Sequence, residues 1–345
     1  MMSSSSSTPP GENQGHVPKV AFFGDARCIG SVYAQGRRER LEGMAEVFPH
    51  VINRDNFDLH ARELEGIEAI FSTWGMPALT SEEVRRLPAL RALFYAAGTV
   101  QIFARPFLDN GVTVVSAWKA NAIPVAEFTT AHILLATKGW HRNTREYTSP
   151  QACPTAFRGR GNFGETVALL GAGAIGRKVV ELLRPFNLRI VVFDPFLPDD
   201  AARRLGVEKT TLEDAFARAF VVSNHLADNP QTRGMLKRPL FASMRQGAVF
   251  INTGRGATVD EPGLCGVMQE RPDLTAVLDV TTMEPPGEDS PLYSLPNVRL
   301  STHVAGSLGD EIVRMADICI EDFQRWTRGE PLLNEVSKAM LETMA

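Results

Sequence analysis

The stretch "TVALLGAGAIGRKVVELL", Thr166 to Leu183, decides the fold of this chain. It begins with an apolar run typical of a strand buried on both faces, and it continues into a helical pattern. Between the two, Gly171, Gly173 and Gly176 stand in GxGxxG spacing. Glycine-rich turns are common, but a strand before the glycines and a helix after them predict a dinucleotide-binding βαβ unit.

Each glycine in this loop meets a separate steric requirement. Gly171 permits the tight turn, Gly173 lets the backbone approach a pyrophosphate, and Gly176 lets helix and strand pack closely. The helix N-terminus then offers unpaired N–H groups and the positive end of its dipole. The predicted phosphate site therefore comprises Gly171, Gly173, Ala174, Ile175 and Gly176.

The next apolar run ends in an aspartate. Asp194 lies 18 residues after Gly176 (194 − 176), and no arginine occupies the three positions after it. A carboxylate at that strand end accepts hydrogen bonds from the adenosine ribose hydroxyls and repels the extra phosphate of NADP. Alternatively, Asp194 caps a turn before Pro195. The combination of strand, glycines, helix and spacing favours the first interpretation, and it favours NAD over NADP.

From about Val17 the chain alternates short apolar runs with helical patterns, which predicts α/β architecture with parallel sheets covered by helices. The predicted strands of the first half are residues 19–24, 68–73, 92–96 and 112–116. Those of the second half are residues 167–170, 190–193, 220–223, 248–252, 275–280 and 298–301. Six strands in the second half are the number in a complete doubly wound dinucleotide fold.

Two further helices are predicted from periodicity. Residues 125–147 have the pattern of one long helix, with Pro124 in its first turn. Residues 309–330 form an amphipathic helix near the end of the sequence. Its apolar face recurs at helical spacing through Ile312, Met315, Cys319 and Phe323.

Length and composition restrict the class of protein. A chain of 345 residues is longer than the chains that usually fold around a single hydrophobic core, so two domains are expected. The net charge of −4 without a basic run favours neither nucleic acid nor membrane as a partner. The four scattered cysteines and seven histidines lack metal-ligand spacing, so no metal is expected. The Ser- and Pro-rich residues 1–16 predict a disordered tail, and the protein is expected to be cytoplasmic.

Polar side chains follow several predicted strands of the second half. Arg255 follows the predicted strand at 248–252. Asp279 lies at the end of the strand at 275–280, and Glu284 follows that strand. His303 follows the last strand. Taken singly, each has a purely structural interpretation: Arg255 as a surface residue, Asp279 as a cap, Glu284 as a turn residue and His303 as a packed ring. Because ligands bind beyond the carboxyl ends of parallel strands, their joint occurrence at the edge that holds the glycine loop predicts a site.

This combination meets a chemical requirement. Reduction of a 2-keto acid by hydride transfer needs a proton for the carbonyl oxygen, a cation to polarise it, and a partner for the carboxylate. A histidine side chain can donate and accept a proton near neutral pH, and a glutamate beside it, as Glu284 would stand beside His303, stabilises the imidazolium form. Arg255 offers a permanently charged, planar set of donors.

At this point the sequence resembles the D-isomer-specific 2-hydroxyacid dehydrogenase family over nearly all of residues 17–332. The matching stretches are "NAIPVAEF", "ETVALLGAGAIG", "FDPF", "MRQGAVFINTGRGATVDE", "LDVTTMEP" and "STHVAG". The resemblance implies two doubly wound parallel-sheet domains with the active site in the cleft between them. An NAD-binding Rossmann domain would span residues 118–305, and a flavodoxin-like substrate domain would combine residues 17–117 and 306–345.

The resemblance also implies roles for individual residues. His303 looks like the general acid/base, Glu284 like its partner, and Arg255 like the cation that binds and polarises the substrate. The remaining residues that it implies for binding are Ala97, Gly98 and Thr99 for the substrate carboxylate, and Asp279, His225 and Thr253 for the cofactor. Family members are usually homodimers through the NAD domain.

Several positions depart from the family pattern and leave the substrate open. Thr302 replaces the proline that commonly precedes the histidine, and "TVQIF" replaces an acidic residue after the substrate-loop glycine. The usual "HxPLT" is "HLADN" at His225–Asn229. Trp74 and Met76 either wall a substrate pocket or pack in a core.

We therefore expect NAD-dependent interconversion of a D-2-hydroxy acid and its 2-keto acid. One alternative is an NAD-sensing binding protein like the corepressors on this scaffold. The other is a phosphite or formate dehydrogenase of the same superfamily. The formate type resembles this arrangement but carries an amide where Glu284 stands, which favours the hydroxyacid activity.

Overall fold

The computed structural model describes residues 16–342, and these divide into two compact units. The first unit comprises residues 16–121 and 309–341, and the second comprises residues 122–308. Of the predicted tail, residues 1–15 lie outside the described residues. Within residues 16–342, no helix has the length and apolar character required to cross a membrane.

The first unit contains a five-stranded sheet in which every strand pairs in parallel. Its strands are β1 (Lys19–Phe23), β2 (Glu46–Val47), β3 (Ala69–Ser72), β4 (Ala92–Tyr95) and β5 (Thr113–Ser116). They run in the order β2-β1-β3-β4-β5, which is the flavodoxin-like order. Strands β3 and β4 are buried at every position, as helices on both faces of a parallel sheet require.

The second unit contains a seven-stranded parallel sheet. Its strands are β6 (Thr166–Leu170), β7 (Arg189–Phe193), β8 (Glu208–Lys209), β9 (Val221–Asn224), β10 (Val249–Asn252), β11 (Thr275–Leu278) and β12 (Val298–Leu300). They run in the order β12-β11-β10-β9-β6-β7-β8. The order reverses direction between β6 and β9, which is the point where doubly wound folds bind dinucleotides. The predicted class of two doubly wound parallel-sheet units is confirmed.

Helices cover both sheets. In chain order they are α1 (Ala26–Val32), α2 (Arg37–Glu42), α3 (Phe57–His60), α4 (Ser81–Arg85), α5 (Ala104–Asp109), α6 (Trp118–Thr137), α7 (Trp140–Glu146), α8 (Ala174–Leu183), α9 (Asp199–Leu205), α10 (Leu212–Arg218), α11 (Arg238–Ala242), α12 (Glu261–Glu270) and α13 (Val313–Thr327). Short 3-10 turns lie at Glu63–Gly66, Pro150–Ala152, Gly256–Thr258, Pro291–Tyr293, Gly309–Glu311 and Met340–Glu342.

The predicted C-terminal amphipathic helix is confirmed as α13, which completes the core of the first unit. Met315, Cys319 and Phe323 are buried. The Phe323 ring lies 5.1 Å from that of Phe71 on β3 and 5.6 Å from that of Phe94 on β4, each in an edge-on arrangement. Burial of such rings is the main source of core stability, so this helix belongs to the first sheet although it follows the second in sequence.

The single helix predicted for residues 125–147 is wrong in two respects. Helix α6 begins at Trp118, so Pro124 lies inside it rather than in its first turn. The helical segment is also broken, because Gly139 adopts a φ of +76° and separates α6 from α7. A Cβ at Gly139 would lie 2.5 Å from the Gly159 nitrogen, so the break accommodates a close approach of two backbones.

This close approach predicts a large effect of one added methyl group. We expect Gly139→Ala to lower the free energy of unfolding by the left-handed backbone cost of about 1 kcal/mol plus about 1–3 kcal/mol of overpacking. Gly161→Ala is the matched control, since Gly161 has a φ of +83° and no atom within 4 Å of the added Cβ. Urea unfolding of both variants measures the difference. Equal losses would show that the Gly139–Gly159 contact is not constraining.

Candidate active site

The glycine loop between β6 and α8 has the geometry that its spacing predicts. Gly171 has a φ of +99°, and a Cβ there would lie 2.8 Å from the His225 carbonyl oxygen. A Cβ at Gly176 would overlap the Gly171 carbonyl oxygen, so helix and turn touch. By contrast, a Cβ at Gly173 meets no atom within 4 Å. Open space at this position is what close approach of a pyrophosphate to the backbone requires.

The N-terminus of α8 supplies donors for an anion. Gly173 is the N-cap residue, and no side chain among the described residues caps it. The N–H groups of the first turn, including those of Ala174 and Ile175, therefore lack a capping acceptor. They lie at the positive end of the helix dipole. This arrangement fits the phosphates of a dinucleotide.

Asp194 lies just after β7 and is fixed by two backbone groups. Its Oδ2 accepts from the Ala172 N–H at 2.7 Å, and its Oδ1 accepts from the Phe196 N–H at 2.8 Å. Each carboxylate oxygen has a second lone pair available, so the group can also accept from two ribose hydroxyls. The bond to Ala172 ties Asp194 to the glycine loop, and the two therefore belong to one site.

His225 and Thr253 lie at the ends of β9 and β10 with buried side chains. The His225 Nε2 is 3.0 Å from the Ser223 Oγ, while its Nδ1 is buried without a hydrogen-bond partner among residues 16–342. Burial lowers the pKa of His225 to about 4, so the ring is neutral. The Thr253 Oγ1 is 2.8 Å from the Thr129 Oγ1 of α6. Both residues are buried within the unit.

The carboxylate of Asp279, directly after β11, organises the loop after β12. It accepts from the Ser301 hydroxyl at 2.6 Å and from the N–H groups of Val304 and Ala305 at 2.8 and 2.9 Å. Its backbone carbonyl accepts from the His303 N–H at 3.1 Å. Asp279 is buried, so these four bonds satisfy the group inside the unit and fix the backbone on both sides of His303.

His303 itself has an unusual backbone and a carboxylate partner. Its φ is +56°, in the left-handed region that non-glycine residues rarely occupy. Its Nδ1 is 2.7 Å from the Oε2 of Glu284, and the two side chains are 52% and 40% exposed. Because Glu284 engages Nδ1, the opposite ring nitrogen, Nε2, remains available to a substrate.

Arg255 follows β10 and is partly buried. One of its terminal nitrogens donates to the Gly254 carbonyl at 2.8 Å, and no carboxylate among residues 16–342 lies within ion-pair distance. Burial lowers the pKa of the Arg255 guanidinium, and the negative charges of Glu284 and Asp228 oppose that shift. Arginine remains charged at neutral pH, so this is a desolvated cation with unused donors.

A second close approach brings the Arg255 loop against the Glu284 loop. A Cβ at Gly256 would overlap the backbone of Thr281, so the chain passes there in direct contact. The Thr281 hydroxyl in turn donates to the Met283 carbonyl at 2.6 Å, which shapes the segment that carries Glu284. Arg255, Glu284 and His303 thus converge on one edge of the second sheet.

Two contributors to this edge were not predicted from the sequence. Ser301 holds the Asp279 carboxylate, and Asp228 lies close enough to affect Arg255 electrostatically. The sequence offered one sign of the second, because "HLADN" departs from the expected "HxPLT" at that position. Across the described part of the chain, no group of three His, Cys, Asp or Glu could hold a metal ion.

Ala97, Gly98 and Thr99 lie in the first unit, after β4. The Ser116 hydroxyl lies 3.1 Å from the carbonyl oxygen of Ala97 and 2.5 Å from that of Gly98. The N–H groups of Ala97, Gly98 and Thr99 donate to no acceptor within residues 16–342. Successive N–H groups without an acceptor are donors of the kind that bind an anion.

Comparison with known proteins assigns the second unit. Residues 130–305, just over half of the chain, match the family model described as D-isomer specific 2-hydroxyacid dehydrogenase, NAD binding domain. The D-3-phosphoglycerate dehydrogenase of Methanocaldococcus jannaschii is 29% identical over 75% of this chain and 50% of its own length. A Bacillus subtilis protein described as a 2-hydroxyacid dehydrogenase is 35% identical over 52% of this chain and 51% of its own. The chain spans about half the length of the curated relatives it matches.

Solved structures show the same fold. The apo form of Rhodotorula graminis D-mandelate dehydrogenase has a TM-score of 0.79 at 20% identity, over 93% of this chain and 98% of that one. A glyoxylate reductase from Paecilomyes thermophila has a TM-score of 0.75 at 22% identity, over 94% of this chain and 99% of that one. At these identities the similarity establishes the fold alone.

The glycine geometry predicts that two similar substitutions have different effects. Gly173→Ala should leave the free energy of unfolding nearly unchanged and weaken NADH binding at least about tenfold, because the methyl group enters only the space for the pyrophosphate. Gly176→Ala should instead destabilise the fold, since its methyl group overlaps Gly171. Urea unfolding and NADH fluorescence titration separate the two effects. Normal NADH affinity in Gly173→Ala would exclude this loop as the phosphate site.

Proposed function

This chain belongs to the D-isomer specific 2-hydroxyacid dehydrogenase family, and on that premise we propose that it interconverts a D-2-hydroxy acid and its 2-keto acid. Residues 130–305 form the NAD-binding domain of the family, so NAD is the cofactor. The observation that carries the proposal is the His303–Glu284 hydrogen bond beside the desolvated, carboxylate-free guanidinium of Arg255. When bound, the reduced nicotinamide supplies the hydride.

His303 is the proposed general acid in the reductive direction. Its Nε2 donates a proton to the carbonyl oxygen as that oxygen gains negative charge, and it accepts the proton back in oxidation. Glu284 accepts from Nδ1–H, which fixes the tautomer that presents Nε2 and stabilises the imidazolium. The four hydrogen bonds that Asp279 accepts hold the loop, so the ring is positioned before substrate arrives.

Arg255 is the proposed substrate-binding cation. Its planar donors suit a carboxylate and the neighbouring carbonyl oxygen together, and its burial strengthens both interactions. Within the first unit, the N–H groups of Ala97, Gly98 and Thr99 are a separate proposed binding site for a carboxylate. The fixed positive charge also polarises the carbonyl in the transition state, where the charge on oxygen is greatest.

The proposed cofactor contacts follow from the groups left available. The first turn of α8 binds the pyrophosphate, and Asp194 accepts from the adenosine ribose. His225 and Thr253, both buried at the ends of β9 and β10, are the further residues that we assign to the cofactor. The Asp279 carboxylate already accepts three hydrogen bonds. It can therefore contact the nicotinamide carboxamide only through its remaining lone pair.

The proposal predicts a specific loss of turnover. A panel of 2-keto acids graded by size and charge, read by NADH absorbance, should contain substrates of the wild-type protein. His303→Ala should lower kcat/KM for them by roughly 10²- to 10⁴-fold, because the proton donor is removed. NADH binding should remain, which shows that the fold is intact. Wild-type-like turnover of the variant would remove His303 from the mechanism.

The same panel decides between classes of function. Tight NADH binding with no turnover of any 2-keto acid would support an NAD-sensing binding protein instead. Oxidation of phosphite or formate by NAD would support the other members of the superfamily. The homodimer through the NAD domain and the cytoplasmic location remain predictions, and light scattering after size-exclusion chromatography tests the first.

A second prediction concerns cofactor choice. Asp194→Ala should weaken NADH binding and narrow the preference over NADPH, because the variant loses a ribose acceptor and the repulsion of the 2′-phosphate. The Kd for each cofactor, from fluorescence titration, measures both effects. Since Asp194 also holds the Ala172 N–H, urea unfolding should accompany the titrations. An unchanged NADH-to-NADPH ratio would contradict the ribose assignment.

A further inference from the structure

Asp228 and Arg233 form an ion pair in the loop after β9. The Arg233 Nε is 2.7 Å from the Asp228 Oδ1, and its Nη2 is 3.2 Å from Oδ2, so the guanidinium engages both oxygens. The Arg233 side chain is 67% exposed, whereas that of Asp228 is 27% exposed. A bidentate contact of this kind fixes the direction of a carboxylate as well as neutralising it.

The segment that carries Asp228 is closed by its own hydrogen bonds. The Asn229 side-chain oxygen accepts from the N–H groups of Gln231 and Thr232 at 3.0 and 3.1 Å. The Thr232 hydroxyl donates to the Ala227 carbonyl at 2.5 Å, which bridges across Asp228. The backbone at Asp228 is therefore held on both sides, and its side chain has a restricted range of positions.

This segment lies alongside the Arg255 loop and is tied to it at both ends. At the start, the Asn224 side chain donates to that of Asn252 at 2.9 Å, at the ends of paired strands β9 and β10. At the far end, the Gly234 N–H donates to the Ala257 carbonyl at 2.8 Å. These two hydrogen bonds bracket both groups, because Asp228 lies between them on one segment and Arg255 lies between them on the other.

The two groups interact through their charges. The negative charge of Asp228 raises the pKa of Arg255 against the effect of burial, which places the carboxylate within electrostatic range of the guanidinium. Arg255 has unused donors and no carboxylate within ion-pair distance among residues 16–342. A carboxylate nearby that lacked another partner would compete with a substrate carboxylate for those donors.

We propose that Arg233 is a positioning residue, which holds the Asp228 carboxylate away from Arg255 and thereby keeps the Arg255 guanidinium available to the anionic substrate. The inference rests on the proposed function of Arg255. Arg233 acts through Asp228 and is assigned no contact with a reacting atom. The pair sets how strongly the site binds a carboxylate, and it leaves the proton transfer at His303 unaffected.

Arg233→Ala should raise the KM for the best 2-keto acid about fivefold, with kcat changed less than twofold, because a freed Asp228 competes in the ground state and the transition state alike. The double variant Arg233→Ala/Asp228→Asn should restore the wild-type KM. Arg233→Lys should give a KM between those of the wild type and Arg233→Ala, because lysine can still pair with the Asp228 carboxylate. A role of Arg233 in folding alone predicts no rescue by Asp228→Asn.

Arg218→Ala is the matched control, since Arg218 forms an exposed pair with Glu208 at 2.7 Å before the amino end of β9. Arg218→Ala should leave the KM for the 2-keto acid unchanged. An unchanged KM in Arg233→Ala, or a double variant that stays impaired with normal NADH binding, would overturn the inference while leaving the proposed function intact. If no 2-keto acid is turned over, the proposed function fails. Oxamate titration of the NADH complex, with the same variants, then tests the competition directly, and unchanged oxamate affinity in Arg233→Ala would overturn it.

Discussion

The carboxylate of Asp279 is buried at the end of β11, where a negative charge is costly unless it is fully hydrogen-bonded. It obtains its donors from Ser301, Val304 and Ala305, and so the loop after β12 must wrap around it. That requirement places His303 in the left-handed region and turns its ring towards Glu284. The geometry of the proposed acid thus follows from the need to satisfy one buried charge on the neighbouring strand.

Close backbone approaches play a corresponding part on the rest of the edge. Gly171 and Gly176 bring the turn after β6 against the end of β9 and the start of α8, and Gly256 brings the Arg255 loop against Thr281. In each case the absence of a side chain permits a direct contact between two backbone segments. The parallel sheet sets which loops are neighbours, and the glycines set how near they come.

Much of the fold was predictable because buried parallel strands are short apolar runs between helical patterns. Strands β2 and β8 were missed, since two residues each carry no periodicity. The glycine loop was predictable from its spacing and its flanking strand and helix. The left-handed backbone of His303, the burial of His225 and Thr253, and the effect of Asp228 on Arg255 were not predictable, because they depend on loop conformations that no local pattern encodes.

The positive φ of His303 has a further consequence for how this position tolerates change. An imidazole on a left-handed backbone stores about 1 kcal/mol or more that glycine would release and asparagine would partly release. Fitness for folding and fitness for chemistry therefore rank the amino acids at this position in opposite orders. Saturation libraries sorted for abundance alone would discard the histidine that libraries sorted for turnover would retain.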